Sequence, residues 1–179
     1  MDGITVRQEV ADDFSAIDVV NKSAFPSDAE ARFVQNLRRA AAFIPELSLV
    51  AEAQNRVVGH ILLFVVDLVP ATGDTRKILA LAPMAVVPSQ SHRGIGSALV
   101  RAALKKAGSL GHGGVVVIGH PEFYRRFEFD AASKWGIRCP VPVPEDDVSA
   151  IELVKGAFGN GGAIRYPASF VELFARQAA

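Results

Sequence analysis

The stretch Ala82-Pro83-Met84-Ala85-Val86-Val87-Pro88-Ser89-Gln90-Ser91-His92-Arg93-Gly94-Ile95-Gly96-Ser97-Ala98-Leu99-Val100 decides how the rest of the chain is read. An apolar strand, residues 77–87, ends at Pro88, a polar loop follows, and a helix is expected from about Gly94 to Gly108. Glycines let the backbone approach a ligand closely and adopt positive φ. The first amides of a helix have no internal partner and lie at the positive end of its macrodipole. Amides from His92 to Gly96 can therefore converge on a pyrophosphate without any cationic side chain, with His92, Arg93 and Arg101 adding charge-assisted bonds at the edges. Gly94-x-Gly96 by itself also suits an ordinary strand-to-helix turn. It opens a dinucleotide-binding fingerprint as well, but Leu99 occupies the third glycine position and residues 88–93 separate the strand from the glycines. No Gly-Lys-Ser/Thr sequence occurs anywhere, which argues against a nucleoside triphosphatase.

Upstream, residues 3–10 alternate enough to form a first strand, and Ala11-Asp12-Asp13 opens a helix that carries Phe14, Ile17 and Val20 on one face. Pro26-Ser27-Asp28 ends that helix and caps another, with Phe33, Val34 and Leu37 as its apolar positions. Residues 47–53 and 56–68 form two strands joined at Gln54-Asn55 in a tight hairpin. Downstream, residues 114–118 are wholly apolar and rich in β-branched side chains, the pattern of a strand covered on both faces. A short helix starts at Pro121. The last third is punctuated by Pro140, Pro142, Pro144, Gly156, Gly159, Gly161 and Gly162, and is expected to be irregular apart from one hairpin between residues 149–154 and 162–165. The order is β, two helices, three strands, helix, strand, helix, then strands, which makes a single α/β domain with a mixed sheet.

Composition narrows the function. Half of the 179 residues are hydrophobic, enough for one well-packed core. Lys plus Arg equals Asp plus Glu at 19 each, without the basic excess of a protein that binds nucleic acid through its phosphates. Cys139 is the single cysteine, so no intrachain disulfide forms; it has no clustered partners for a metal and is expected to be a small buried or half-buried residue. The N-terminus lacks the charged-then-apolar order of a signal peptide, and residues 61–66, an apolar run, are far too few to span a bilayer. A soluble cytoplasmic protein is expected.

Leu81-Ala82-Pro83-Met84-Ala85-Val86-Val87-Pro88 followed by Arg93-Gly94-Ile95-Gly96-Ser97-Ala98-Leu99 resembles the acyl-CoA signature of the GNAT superfamily of N-acetyltransferases, Gln/Arg-x-x-Gly-x-Gly/Ala. Gly94 and Gly96 match its glycines. Ser91 stands at its first position, with Gln90 one residue early, and still offers a backbone amide. In that family the preceding strand splays from the next and binds pantetheine through backbone groups, which here implies Met84, Ala85 and Val86. The resemblance thus assigns acyl-CoA to Met84, Ala85, Val86, Ser91, His92, Arg93, Gly94, Ile95, Gly96 and Ser97. It also implies a GNAT-like α/β (α+β) fold in one domain over residues 1–179: a mixed, mostly antiparallel sheet flanked by helices, with a splayed parallel strand pair at the cofactor site.

A second constellation strengthens it. Val115-Val116-Val117-Ile118-Gly119-His120-Pro121-Glu122-Phe123-Tyr124-Arg125-Arg126-Phe127-Glu128-Phe129 is similar to the family's next strand and short helix, where a tyrosine lies five residues before the phenylalanine of a Gly-Phe pair. Tyr124 and Phe129 keep that spacing, and Glu128 replaces the glycine. Gly119-His120-Pro121-Glu122-Phe123-Tyr124, Glu152-Leu153-x-x-Gly156-Ala157 and Tyr166-Pro167-x-x-Phe170 resemble the YhbS-like branch.

The chemistry gives Tyr124 a role. When an amine attacks an acetyl thioester, the leaving thiolate has a conjugate acid of pKa about 8.5, and a phenol of pKa about 10 is protonated at neutral pH and supplies a proton or hydrogen bond. A backbone amide of residues 84–86 can meet the developing oxyanion. Tyr124 also suits a plain core aromatic beside Phe123 and Phe127. His120 suits a loop histidine bonded to backbone, and Arg125 and Arg126 suit either a solvated face or a CoA phosphate. Glu122, Asp67, Glu30 and His120 are the candidate general bases, and none stands out. The acceptor, a primary amine on a small molecule or peptide, is implied near residues 25–33 and the hairpin near 158–166. Transfer from acetyl-CoA by direct attack in a ternary complex, with no metal, is the leading reading. A non-catalytic acyl-CoA-binding or sensing module on the same fold and a nucleotide-linked oxidoreductase are the alternatives. No nucleic-acid or membrane partner is indicated, and a homodimer is left open.

Overall fold

The computed structural model describes residues 3–175. The chain gathers into two compact units, one of residues 3–63 and 82–107, the other of residues 64–81 and 108–175. Two long strands, β3 (Arg56–Val69) and β4 (Arg76–Val86), run through both.

In the first unit the strands follow the order β1 (Ile4–Gln8), β2 (Phe43–Ala53), β3, β4. β1 lies antiparallel to β2, in a register from Ile4↔Ala53 to Gln8↔Leu49. Gln54 (φ 50°) and Asn55 (φ 59°) both take the left-handed conformation, the two-residue turn whose twist suits the flanking strands, as the sequence suggests. Three helices cover this sheet: α1 (Phe14–Ala24), α2 (Ala29–Leu37) and α3 (Ile95–Ser109). Neighbouring residues of a strand point to opposite faces, and β3 shows which helix takes which face. A Cβ at Gly59 would meet Leu99 and Ile95 of α3, whereas the next side chain, His60, bonds Asn21 of α1. Ile17 and Val20 are buried as expected, and so are Phe33, Val34 and Leu37. Phe14 is not in the core. It is 39% exposed, and the Arg38 guanidinium lies 3.8 Å over its ring.

In the second unit β5 (Gly114–Ile118) is parallel to β4 from Leu79↔Val115 to Leu81↔Val117 and antiparallel to β8 (Val148–Glu152) along its whole length. The parallel pairing stops there: the Gly119 amide turns to the Asp147 carbonyl at 2.9 Å, while β4 continues beyond Leu81 into the first unit. Between β5 and β8 come α4 (Pro121–Tyr124), β6 (Asp130–Ala131) and β7 (Ile137–Arg138); β9 (Gly162–Arg165) and α5 (Ala168–Ala175) follow. β6 pairs with β8, and β9 pairs antiparallel with β3 and parallel with β7.

The expected C-terminal hairpin is therefore wrong. β8 and β9 exist near the expected positions but pair with different strands. The Leu153 and Val154 amides both donate to the Gly113 carbonyl, at 2.7 and 3.0 Å, and draw the chain away from a return path. Phe158, fully buried, then lies against Gly114, where no Cβ has room, and edge-on to Trp135 at 5.3 Å. α5 was not expected. It forms because Phe170 finds the Tyr166 ring at 4.4 Å and the Phe64 ring at 5.5 Å, contacts that local propensity does not reveal.

Candidate functional site

The loop before α3 is built by backbone. The Val87 amide donates to Val58 at 2.9 Å, tying the exit of β4 to β3, and a short 3-10 turn, Pro88–Gln90, follows. His92 (φ 62°) and Gly94 (φ 78°) both take left-handed conformations and swing the chain into α3. Residues 91–94 are exposed, while Ile95, the first helical residue, is buried and anchors the turn. The first helical bond runs from Ala98 N–H to Gly94 O at 3.0 Å. Among the described residues, the amides of His92, Arg93, Gly94, Ile95 and Gly96 have no acceptor. Five consecutive donors at a helix N-terminus can hold the phosphates of a nucleotide-like cofactor. The Ser91 amide is not one of them: it already donates to Pro88 O at 3.2 Å.

Gly59 positions this loop, and the sequence reading passed over it. A Cβ there would stand 3.0 Å from Leu99 Cδ1, 3.1 Å from Ile95 Cγ2 and 3.2 Å from Ala85 O. A larger residue would push the first turn of α3 or the Ala85 carbonyl outward by a few tenths of an ångström. The visible signal was a glycine inside a strand, Val58-Gly59-His60, which often marks close approach of another backbone. Ala85 is buried, with Met84 and Val86 half-buried on either side.

Tyr124 is built by packing. Its ring is 6% exposed, edge-on to Phe123 at 5.0 Å and to Phe129 at 5.5 Å. A Cβ at Gly119 would come 2.8 Å from Tyr124 Cε2, so this glycine makes room for the ring. The Phe123 and Tyr124 amides both bond the His120 carbonyl, at 3.1 and 3.4 Å. Burial pushes the Tyr124 phenol well above its ordinary value. The hydroxyl has no hydrogen-bond partner among the described residues, yet is not sealed from solvent. Glu128, where the resemblance expects glycine, is held at φ 68°.

The four candidate bases now separate. Asp67 bonds Lys77 at 2.5 Å and Arg165 at 3.4 Å. Glu122 and His120 are exposed. Glu30, near the start of α2, is half-buried with Oε2 shielded and unpartnered, and burial, helped by Asp28, raises its carboxyl above the usual range.

A buried polar network that the sequence reading missed lies in the first unit. Glu9 accepts from Arg38 at 2.9 and 3.0 Å, and His60, fully buried, has Nε2 3.0 Å from Ser48 Oγ and 3.6 Å from Glu9 Oε2. Asn21 Nδ2 donates to Ile17 O at 3.0 Å, which orients its amide, so its second hydrogen faces His60 Nδ1 at 3.3 Å. Nδ1 is then an acceptor and the neutral ring carries its proton on Nε2. Burial accordingly lowers the His60 pKa despite Glu9. For Glu9 burial works upward, but the polar neighbours His60, Arg38 and Ser48 outweigh it and hold the carboxyl at about 2.

Residues 8–129 match the model of the acetyltransferase (GNAT) family. The chain is 30% identical over 167 residues to a protein of Escherichia coli strain K12 named uncharacterized N-acetyltransferase YhbS, covering 92% of this chain and 97% of that protein. It is 34% identical over 135 residues to a protein of the same strain named uncharacterized N-acetyltransferase YjhQ, covering 75% of this chain and 74% of that protein. Among solved structures it is similar to the Escherichia coli YhbS complex with CoA, at 29% identity and TM-score 0.85, over 94% of this chain and 92% of that one. It is also similar to a GNAT family acetyltransferase from Brucella melitensis in complex with acetyl-CoA, at 28% identity and TM-score 0.73, over 93% and 97%.

Proposed function

We propose, for a chain that belongs to the acetyltransferase (GNAT) family, that it moves an acetyl group from acetyl-CoA to a primary amine by direct attack in a ternary complex. The observation that carries this reading is the run of five uncommitted amides from His92 to Gly96 at the N-terminus of α3. These amides hold the pyrophosphate, Ser91 and Ser97 flank it, and the backbone of Met84, Ala85 and Val86 receives the pantetheine arm. Arg93 adds charge at the rim. The similar proteins solved with CoA and with acetyl-CoA support this donor.

Tyr124 is proposed as the acid. A phenol whose burial keeps it protonated across the physiological range can donate a hydrogen bond to the departing sulfur as its charge develops. A backbone amide of residues 84–86 stabilises the oxyanion. For the base we propose Glu30, because a carboxyl raised by burial is better matched to taking a proton from an ammonium near neutrality. The acidic limb of the kcat/KM profile should disappear in Glu30→Gln, and an unchanged limb would exclude that role. The acceptor is taken to be a small-molecule or peptide amine, and residues 1–179 to act as one acyltransferase domain in the cytoplasm, where a chain with a single cysteine has no need of a disulfide.

Calorimetric titration with acetyl-CoA, with NAD as control, tests the reading. Micromolar acetyl-CoA affinity, no NAD binding and amine-dependent thiol release are expected. Binding without thiol release across amine classes would instead leave an acyl-CoA-binding module. No binding at all would reduce the loop to a turn.

A further inference from the structure

The second unit contains a cavity of about 480 Å³ that the transfer reading does not use. Its lining includes His120, Glu122, Arg125, Phe129, Asp146 and Ser149, but not Tyr124. The volume falls within the range of small-molecule sites, roughly 300–1,000 Å³.

Three properties of the lining go together. Arg125, Glu122 and Asp146 carry opposite charges on one cavity, yet among the described residues none makes an ion pair within 4.0 Å. Asp130, which also lines it, differs, because Lys134 holds it at 2.8 Å and the more distant Arg125 charge also lowers its carboxyl. Ser149 is 4% exposed, lines the cavity, and its hydroxyl has no hydrogen-bond partner among the described residues. It is also absent from the polar atoms that are both sealed and unpartnered, so what little of it is exposed opens into the cavity. Phe129, 3% exposed, supplies an apolar wall. A nearly buried hydroxyl with no protein partner is free to bond whatever occupies the space it faces.

We propose that this cavity binds a small zwitterion, an α-amino acid or a close analogue, with its carboxylate on Arg125, its ammonium between Glu122 and Asp146, and the Ser149 hydroxyl bonded to it. A simple cation would leave Arg125 opposed to it, and a simple anion would meet two unpaired carboxylates. Only a ligand carrying both charges satisfies both sides. None of the residues that the acetyl-transfer reading assigns to acyl-CoA, acid or base lines the cavity, although His120 and Glu122 are among the candidate bases of the sequence and Phe129 packs on the Tyr124 ring.

The test is amide chemical-shift titration of the full-length protein with each of the twenty standard L-amino acids. For the tightest binder, its decarboxylated amine and its deaminated acid are then titrated. Saturable shifts confined to residues 119–131 and 145–150 are expected. Each analogue lacking one charge should bind about tenfold more weakly, the effect of losing one ion pair of about 1.4 kcal/mol. Arg125→Gln should weaken the amino acid by a similar factor while the amine analogue, relieved of a like charge, binds no more weakly than before. The pair Glu122→Gln and Asp146→Asn should do the reverse, sparing the acid analogue. All three side chains are exposed, so the variants keep the fold. No saturable shift for any amino acid up to about 10 mM, shifts elsewhere on the chain, or an amine or acid analogue binding as tightly as its parent would each overturn the proposal.

Discussion

Every side chain from Ser91 to Gly94 is exposed, whereas Tyr124, Phe127 and Phe129 are buried. The loop before α3 offers backbone amides that bend at His92 and Gly94, and the buried Ile95 side chain anchors it. The Tyr124 region offers one hydroxyl and depends on side chains for everything, from Gly119 beneath the ring to Phe123 and Phe129 at its edges. Residues that work through their backbone tolerate exchange of their side chains but not of their dihedral angles. A residue that works through its side chain tolerates neither truncation nor a change in its packing.

The largest effect should come from breaking the backbone region. Gly94→Glu puts a side chain on a residue at φ 78° and a carboxylate among the free amides, and should abolish acetyl-CoA binding in calorimetry while circular dichroism stays native. Ser91→Ala sharpens the contrast. Its amide already serves Pro88, so affinity should change by no more than about twofold, well under 1 kcal/mol.

Next comes the side-chain region. Tyr124→Phe keeps the ring and removes the hydroxyl, and should lower kcat by about 10²–10⁴-fold with acetyl-CoA affinity nearly unchanged. Intact turnover would falsify the acid role and leave Tyr124 as a core aromatic.

The Glu9–His60 network extends the comparison to burial without an assigned chemistry. Glu9 has its carboxyl lowered from 4.5 to about 2 in the fold, so its contribution is complete above about pH 4.5 and is lost as pH falls toward 2. That shift corresponds to a loss on the order of 3 kcal/mol. The His60 pKa is lowered too, so below about pH 6.5 the unfolded chain takes up a proton that the fold refuses, and stability again falls with pH. Chemical denaturation of wild type between pH 7 and 3 should show both losses, and Glu9→Gln should flatten the lower one. A wild-type profile already flat across that range would mean that the network contributes nothing.

The smallest effect is a gain. Glu128→Gly relieves a left-handed residue beside the Tyr124 region and should raise stability by about 0.5–1 kcal/mol without altering kcat. A loss of stability would show that the Glu128 side chain contributes more than its backbone costs.

Much of the fold was legible in the sequence because its signals are local. The Gln54-Asn55 turn, Pro88 at the end of β4, the β-branched run of β5 and Pro121 opening α4 each declare themselves within a few residues. The donor loop was legible for the same reason, since glycines at a helix start act through their own φ angles. What failed was non-local. Residues 149–154 and 162–165 look like two arms of a hairpin, but pairing depends on distant partners, here β5 for one and β3 for the other. Phe14 carries the helical period of a core residue, yet it lies partly exposed with the Arg38 guanidinium over its ring, a contact between residues far apart in the chain.

The sequence alone determined the α/β class, the loop that delivers amides to α3 and the spacing of Tyr124 from Phe129, because each rests on backbone preference or periodicity over a short span. The tertiary structure decided the rest. It showed that Ser91 has already used its amide, that Gly59 and Gly119 matter for the space they leave, and that Glu30 differs from the other candidate bases. It also gathered Glu9, Arg38 and His60 into one buried network and left Arg125, Glu122 and Asp146 unpaired around one cavity. Burial, free volume and the company of charges are properties of residues far apart in the chain, and no local pattern encodes them.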